Sequence, residues 1–161
     1  MLDAHRNNRG ANPIMRVTAG LLCGLTLLTA ACSSTPGPDV IASHLNDRLN
    51  VRLAPDIAAG RAVLEPLPDG ARVTLSEAAL FPSGAAQMDD KGRYVVARVI
   101  EGMVDPRLLQ VDIGGPRQAQ AQTVADFFTE YLAGAYPQSH FASAEQPGAT
   151  GVAITMHAAA P

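Results

Sequence analysis

The chain has 161 residues, 47% of them hydrophobic and 17% charged, with a formal net charge of −3. That length allows one ordinary domain plus a short appendage. The charges are scattered, so the composition excludes the basic stripe of a nucleic-acid-binding surface.

Residues 1–31 have the layout of a secretory signal. Arg6, Arg9 and Arg16 precede an uncharged run over residues 17–31 that closes on small residues. The run is shorter than the roughly 20 apolar residues a spanning helix needs. Met15 is a second candidate start, because the segment from it is a complete signal by itself. The run ends in LLTAAC, residues 27–32, which resembles a bacterial lipobox, with Thr29 where leucine is usual. That resemblance implies that Cys32 becomes the acylated first residue of the mature chain. Lipid then supplies the membrane attachment, each buried CH₂ adding about 0.8 kcal/mol. Ser33 after the cysteine implies, by the same resemblance, sorting to the outer membrane and a periplasm-facing domain. The plainer alternative is an ordinary secretory signal in which Cys32 is incidental.

Cys23 leaves with the signal, so no intramolecular disulfide remains in an oxidising compartment that would allow one. Cleavage also removes three of the 12 basic residues and Asp3 of the 15 acidic ones. This leaves 9 against 14, a mature charge of −5. No polybasic patch addresses an anionic membrane surface.

Residues 32–38 form a Ser/Pro/Gly tether. Over residues 39–61, Ile41, Leu45, Leu49, Leu53 and Ile57 recur every four residues and predict a helix, which Pro55 should break or kink near Leu53. His44, Arg48 and Arg52 lie beside that stripe as a solvated face. A hairpin follows, with strands over 62–64 and 72–75 around Pro68-Asp69-Gly70. A helix starts near Asp89 or Asp90, acids suited to its N-terminus, with Val95, Val96, Val99, Ile100 and Met103 on its apolar face. A strand over 108–113 runs into Gly114-Gly115-Pro116 as a breaker. A helix over 117–132 carries Val124, Phe127, Phe128, Tyr131 and Leu132 on one side. A loop then leads to a last strand, GVAITMHA, in which Val152, Ile154 and Met156 alternate. This order of elements predicts an α/β (α+β) two-layer sandwich, a mixed sheet with helices on one face.

Residues 73–103, VTLSEAALFPSGAAQMDDKGRYVVARVIEGM, resemble the opening of OmpA-like domains, the peptidoglycan-associating module of OmpA, Pal and MotB. LFPSGAA resembles the variant seen in MotB-type and secretion-system members. LLQVDI is similar to the family's next strand, AQAQTVADFFTEYL to its second helix and GVAITMHA to its closing strand. The resemblance covers residues 62–158. It implies an OmpA-like fold, and Phe81 packed under the sheet.

The family continues its strand into Gly-His-Thr-Asp and later opens the second helix with an arginine. That Asp and Arg hold the diaminopimelate of the wall's stem peptide, one fixed anion and one forked cation for a zwitterionic end. Here residue 113 runs straight into Gly114-Gly115-Pro116, and Gln120 or Ala119 stands at the arginine's place. Asp112 and Arg117 are the candidate substitutes. The alternative, favoured by the missing loop, is that both are surface residues. The resemblance therefore implies an outer-membrane lipoprotein whose degenerate OmpA-like domain serves as an envelope structural or protein-interaction module with weak or absent peptidoglycan binding. The other reading is a peptidoglycan anchor joining outer membrane to wall.

No chemistry of an enzyme, cofactor or metal site is legible. His44, His140 and His157 lack ligand spacing. Ser83 stands in no G-x-S-x-G elbow, and Gly114-Gly115 belongs to no phosphate-binding loop. Asp89-Asp90 reads as a helix start rather than a catalytic pair.

Overall fold

The structure, a computed structural model, describes residues 36–159 apart from Ser83 and residues 137–140. The signal, Cys32 and most of the tether lie outside the described residues, as does His140.

Pro38 starts α1 (Pro38–Ala58), where its missing N–H costs nothing. Ile41, Leu45, Leu49 and Leu53 are buried along one stripe. The helix does not stop at Leu53; it carries Pro55 inside and ends five residues later. Asp56 explains the continuation. Its carboxylate is buried and held by Arg61 and Arg98, which fixes the last turn in place.

The hairpin consists of β1 (Ala62–Leu67) and β2 (Gly70–Ser76), longer than the sequence runs suggested. Leu67 pairs with Gly70, so Pro68 and Asp69 make the turn. A single helical turn, α2 (Glu77–Leu80), separates β2 from Phe81, where the sequence suggested no helix. Asp89 caps α3 (Asp90–Gly102) through a 2.7 Å bond accepted from the Gly92 N–H. After a short 3-10 turn comes β3 (Leu109–Gly115). The expected breaker Gly114-Gly115 is thus the end of a strand. A Cβ on Gly114 would stand 2.2 Å from the end of the exposed Gln146 side chain, which can swing aside, whereas one on Gly115 would press on the Ala121 backbone at 3.2 Å. Arg117 is the N-cap of α4 (Gln118–Leu132). β4 (Ala142–Glu145), read from sequence as loop, and β5 (Gly151–Ala158) complete the chain.

The sheet has five strands in the order β1-β2-β5-β3-β4. All pairings are antiparallel except β3 with β4. Side-chain parity divides its faces. Val73, Leu75, Ile113, Val152, Ile154 and Met156 are buried against the helices, together with Phe81, Val96, Val99, Val124 and Phe128. Arg72, Gln110, Asp112, Thr155 and His157 occupy the helix-free face. The two-layer α/β arrangement expected from the element order is present. Along α4 the buried stripe is Ala121, Val124, Ala125, Phe128 and Leu132, while Tyr131 is 47% exposed.

Candidate functional site

Arg117, Gln120 and Thr123 follow one another at three-residue steps, so they share one face of α4. All three reach the segment over residues 77–86. An Nη2 of Arg117 donates to Glu77 Oε1 at 2.7 Å and to the Gly84 carbonyl at 2.5 Å. Gln120 Nε2 donates to the same Glu77 oxygen at 2.8 Å and to the Ala85 carbonyl at 3.3 Å. Thr123 Oγ1 lies 2.8 Å from the Ala86 carbonyl. The Gln120 amide and, behind it, the Arg117 guanidinium hold the Glu77 carboxyl below its ordinary range. Gln120 is fully buried, and its Oε1 has no partner among the described residues. The Glu77 and Arg117 side chains are 36% and 49% exposed, so solvent reaches the pair.

Asp112 takes no part in this cluster. Its position in β3 turns it to the helix-free face, across from Thr155, where Gln110 Nε2 approaches at 3.4 Å. The structure therefore gives Asp112 and Arg117 separate partners. At the position expected for the family's arginine, Gln120 is the inward residue and Ala119 is exposed.

The other polar residues have local roles. Asp89 is a cap, and Asp90 is exposed in the first turn of α3. His44 is exposed. His157 Nδ1 lies 3.0 Å from Asp69 Oδ2 at the hairpin turn. Among the described residues no group of three His, Cys, Asp or Glu is placed to hold a metal. Arg48 is not a free surface cation: it donates to the carbonyls of Glu101 and Gly102 at the end of α3. A separate cluster around a buried carboxylate joins α1, the residue before β1 and α3. Asp56, 1% exposed, accepts from Arg61 at 2.6 Å and faces Arg98 Nη1 at 3.1 Å, an ion pair without hydrogen-bond alignment. It floors a groove of about 690 Å³ walled by Ala78, Pro82, Tyr94 and Val95.

Glu77 is the residue that sequence reasoning passed over. It stands inside LSEAALF, where an isolated acid after a strand carries no signal of its own. Only the convergence of Arg117 and Gln120 on it, 40 and 43 residues downstream, marks it.

These elements define a two-layer α/β domain with three long helices on one face of a mixed five-stranded sheet. The cell wall anchor of the type VI secretion system (T6SS) from Pseudomonas aeruginosa superposes with a TM-score of 0.56 at 24% identity, over 71% of this chain and 99% of that one. A MotB-like protein from Desulfovibrio vulgaris gives a TM-score of 0.57 at 10% identity, over 77% of this chain and 95% of that one. No family model matches the chain, and no curated protein matches it. The fold is OmpA-like, as the residues from 62 onward suggested.

Proposed function

We propose that this chain is a non-catalytic module of the bacterial cell envelope, lipid-anchored through Cys32 in the outer membrane and facing the periplasm, whose OmpA-like domain acts through contacts with envelope proteins. The observation that carries this reading is the Glu77–Arg117–Gln120 cluster. The one arginine at the start of α4 is engaged by an internal carboxylate, and the helix position behind it holds a neutral amide. With Asp112 on the helix-free face, no anion–cation pair among the described residues stands ready for a zwitterionic stem-peptide end. Losing a hydrogen bond to a charged group costs about 1.5–3 kcal/mol. Losing two such partners weakens binding by about two to four powers of ten.

The decisive experiment is sedimentation with purified sacculi. The expected result is weak or undetectable binding. Saturable binding that diaminopimelate competes for and that Arg117→Ala abolishes would instead favour a peptidoglycan anchor. The likeness in fold to a cell wall anchor, over nearly all of that chain, supports this second reading. The anchor itself is tested by alkynyl fatty-acid labelling. Label on the parent chain and none on Cys32→Ser is expected, and persistent label on the variant would refute the assignment. Inner-membrane residence in a density gradient would refute the outer-membrane assignment.

A further inference from the structure

We propose that Arg117 and Gln120 form a carboxylate-binding site that the chain fills with its own Glu77, so that a carboxylate-ended ligand must displace Glu77 to enter. The proposal deepens the reading above: it rests on the same Glu77–Arg117–Gln120 cluster and adds that the engagement of Arg117 is reversible.

The first observation is convergence. A guanidinium and a primary amide from α4 are aimed at one oxygen, Glu77 Oε1, at 2.7 and 2.8 Å. The second is the state of Gln120. It is fully buried, yet its Oε1 has no partner among the described residues while its Nε2 points at the carboxylate. A buried amide normally satisfies both ends. Here the acceptor end is left unmet while the donor end stays on target.

The third observation is that the internal occupant is held through one oxygen. Among the described residues, the side-chain contacts of Glu77 all run to Oε1, and those of Arg117 all run from Nη2. An incoming carboxylate able to use the whole guanidinium fork would gain the second parallel bond that Glu77 forgoes. The exchange needs little motion. Glu77 opens α2, while Leu80 and Phe81 behind it are buried anchors, so rotation of one half-exposed side chain vacates the site. Occupancy is also linked to the loop after Phe81, because the same two residues hold the carbonyls of Gly84 and Ala85.

The test is chemical rescue of the full chain with sodium acetate, against sodium chloride at matched ionic strength. With Glu77→Ala, acetate is expected to raise Tm saturably by about 4 °C, since a ligand bound only to the native state stabilises it by mass action. The parent, whose site is filled, and the Glu77→Ala/Arg117→Ala double variant are expected not to respond. Equal responses of parent and Glu77→Ala, or no response of Glu77→Ala, would overturn the proposal. If Glu77→Ala does not fold, Glu77→Gln replaces it, with the Gln120 side-chain amide followed by NMR during the acetate titration. A saturable shift supports the proposal and a flat titration refutes it. Rescue by acetate without any binding to sacculi leaves this site standing and decides only the wall-anchor question.

Discussion

Gly92 sits in the first turn of α3, where general helix propensity says that alanine should be better by about 1 kcal/mol. The packing predicts the opposite sign. A Cβ built on Gly92 would stand 2.6 Å from the Leu80 carbonyl oxygen and 3.0 Å from the Leu80 Cα. Both are backbone atoms, and Leu80 and Phe81 are fixed by burial at 0% and 1% exposure. No rotamer change relieves the contact, so α3 must move away from α2 by several tenths of an ångström. That movement strains the Asp89 cap, whose oxygen accepts from the Gly92 N–H itself. Overpacking of this kind costs about 1–3 kcal/mol, and the loosened cap adds about 1 kcal/mol more. Set against the propensity gain, Gly92→Ala is expected to lose about 2 kcal/mol, a fall in Tm of about 6–10 °C. Urea unfolding measures it as a lowered midpoint at unchanged slope. Gly102→Ala serves as the contrast. Its nearest obstacle, at 2.8 Å, is a Leu49 methyl, which can rotate aside, so its loss should be smaller. A Gly92→Ala variant as stable as the parent, or more so, would refute the packing argument.

Phe81→Ala removes a side chain that is 1% exposed and should cost about 3–5 kcal/mol, read as a lowered urea midpoint. Asp56→Ala leaves Arg98, only 16% exposed, facing no carboxylate. Because Arg61 is partly solvated, the loss should fall near the lower end of the range for a broken buried pair, about 3 kcal/mol, visible in the same assay. The Glu77 carboxyl is held below its ordinary value of 4.5 by Gln120 and Arg117. Its contribution is therefore fully present above that value and is lost as pH falls through the lower native one. Glu77→Gln should flatten that part of the stability–pH curve between pH 5 and the acid limb, and an unchanged acid slope would refute it.

The helical periods were legible because burial wrote them. Leu45, Leu49 and Leu53, and Val95, Val96 and Val99, are spaced as the core needs, and the caps Asp89 and Arg117 lie at the expected edges. Val152, Ile154 and Met156 likewise announced β5. β4 was not legible. It is an edge strand of small residues, ASAE, whose pairing with β3 is long-range and whose side chains bury little. Gly114-Gly115 misled because glycine reads as a break locally, whereas here both residues pair in the sheet, Gly114 with Ala144 and Ala153 and Gly115 with Glu145. The break at Pro55 does not occur: α1 runs on to Ala58, and Asp56, one residue after the proline, is buried and held by Arg61 and Arg98. The site showed the same asymmetry. The family resemblance put Gln120 or Ala119 at the arginine's place and Arg117 beside it as a candidate substitute, but nothing near Glu77 in sequence reveals that it faces Arg117 and Gln120.

The position of β5 governs how this domain must come into being. The last strand in the chain lies third in the sheet, between β2 and β3, which do not touch each other without it. Until residue 151 and beyond are available, the β1–β2 hairpin and the β3–α4–β4 unit are two fragments with open edges facing one another. A hairpin alone is marginal in water, so a chain emerging from its N-terminus has no stable partial sheet to settle into. Closure is then a single late event that joins distant segments, the kind of topology that folds slowly and all at once. A growing chain of this design stays pliable until β5 is made, and a chain truncated before β5 is left with two unjoined sheet fragments rather than a smaller domain.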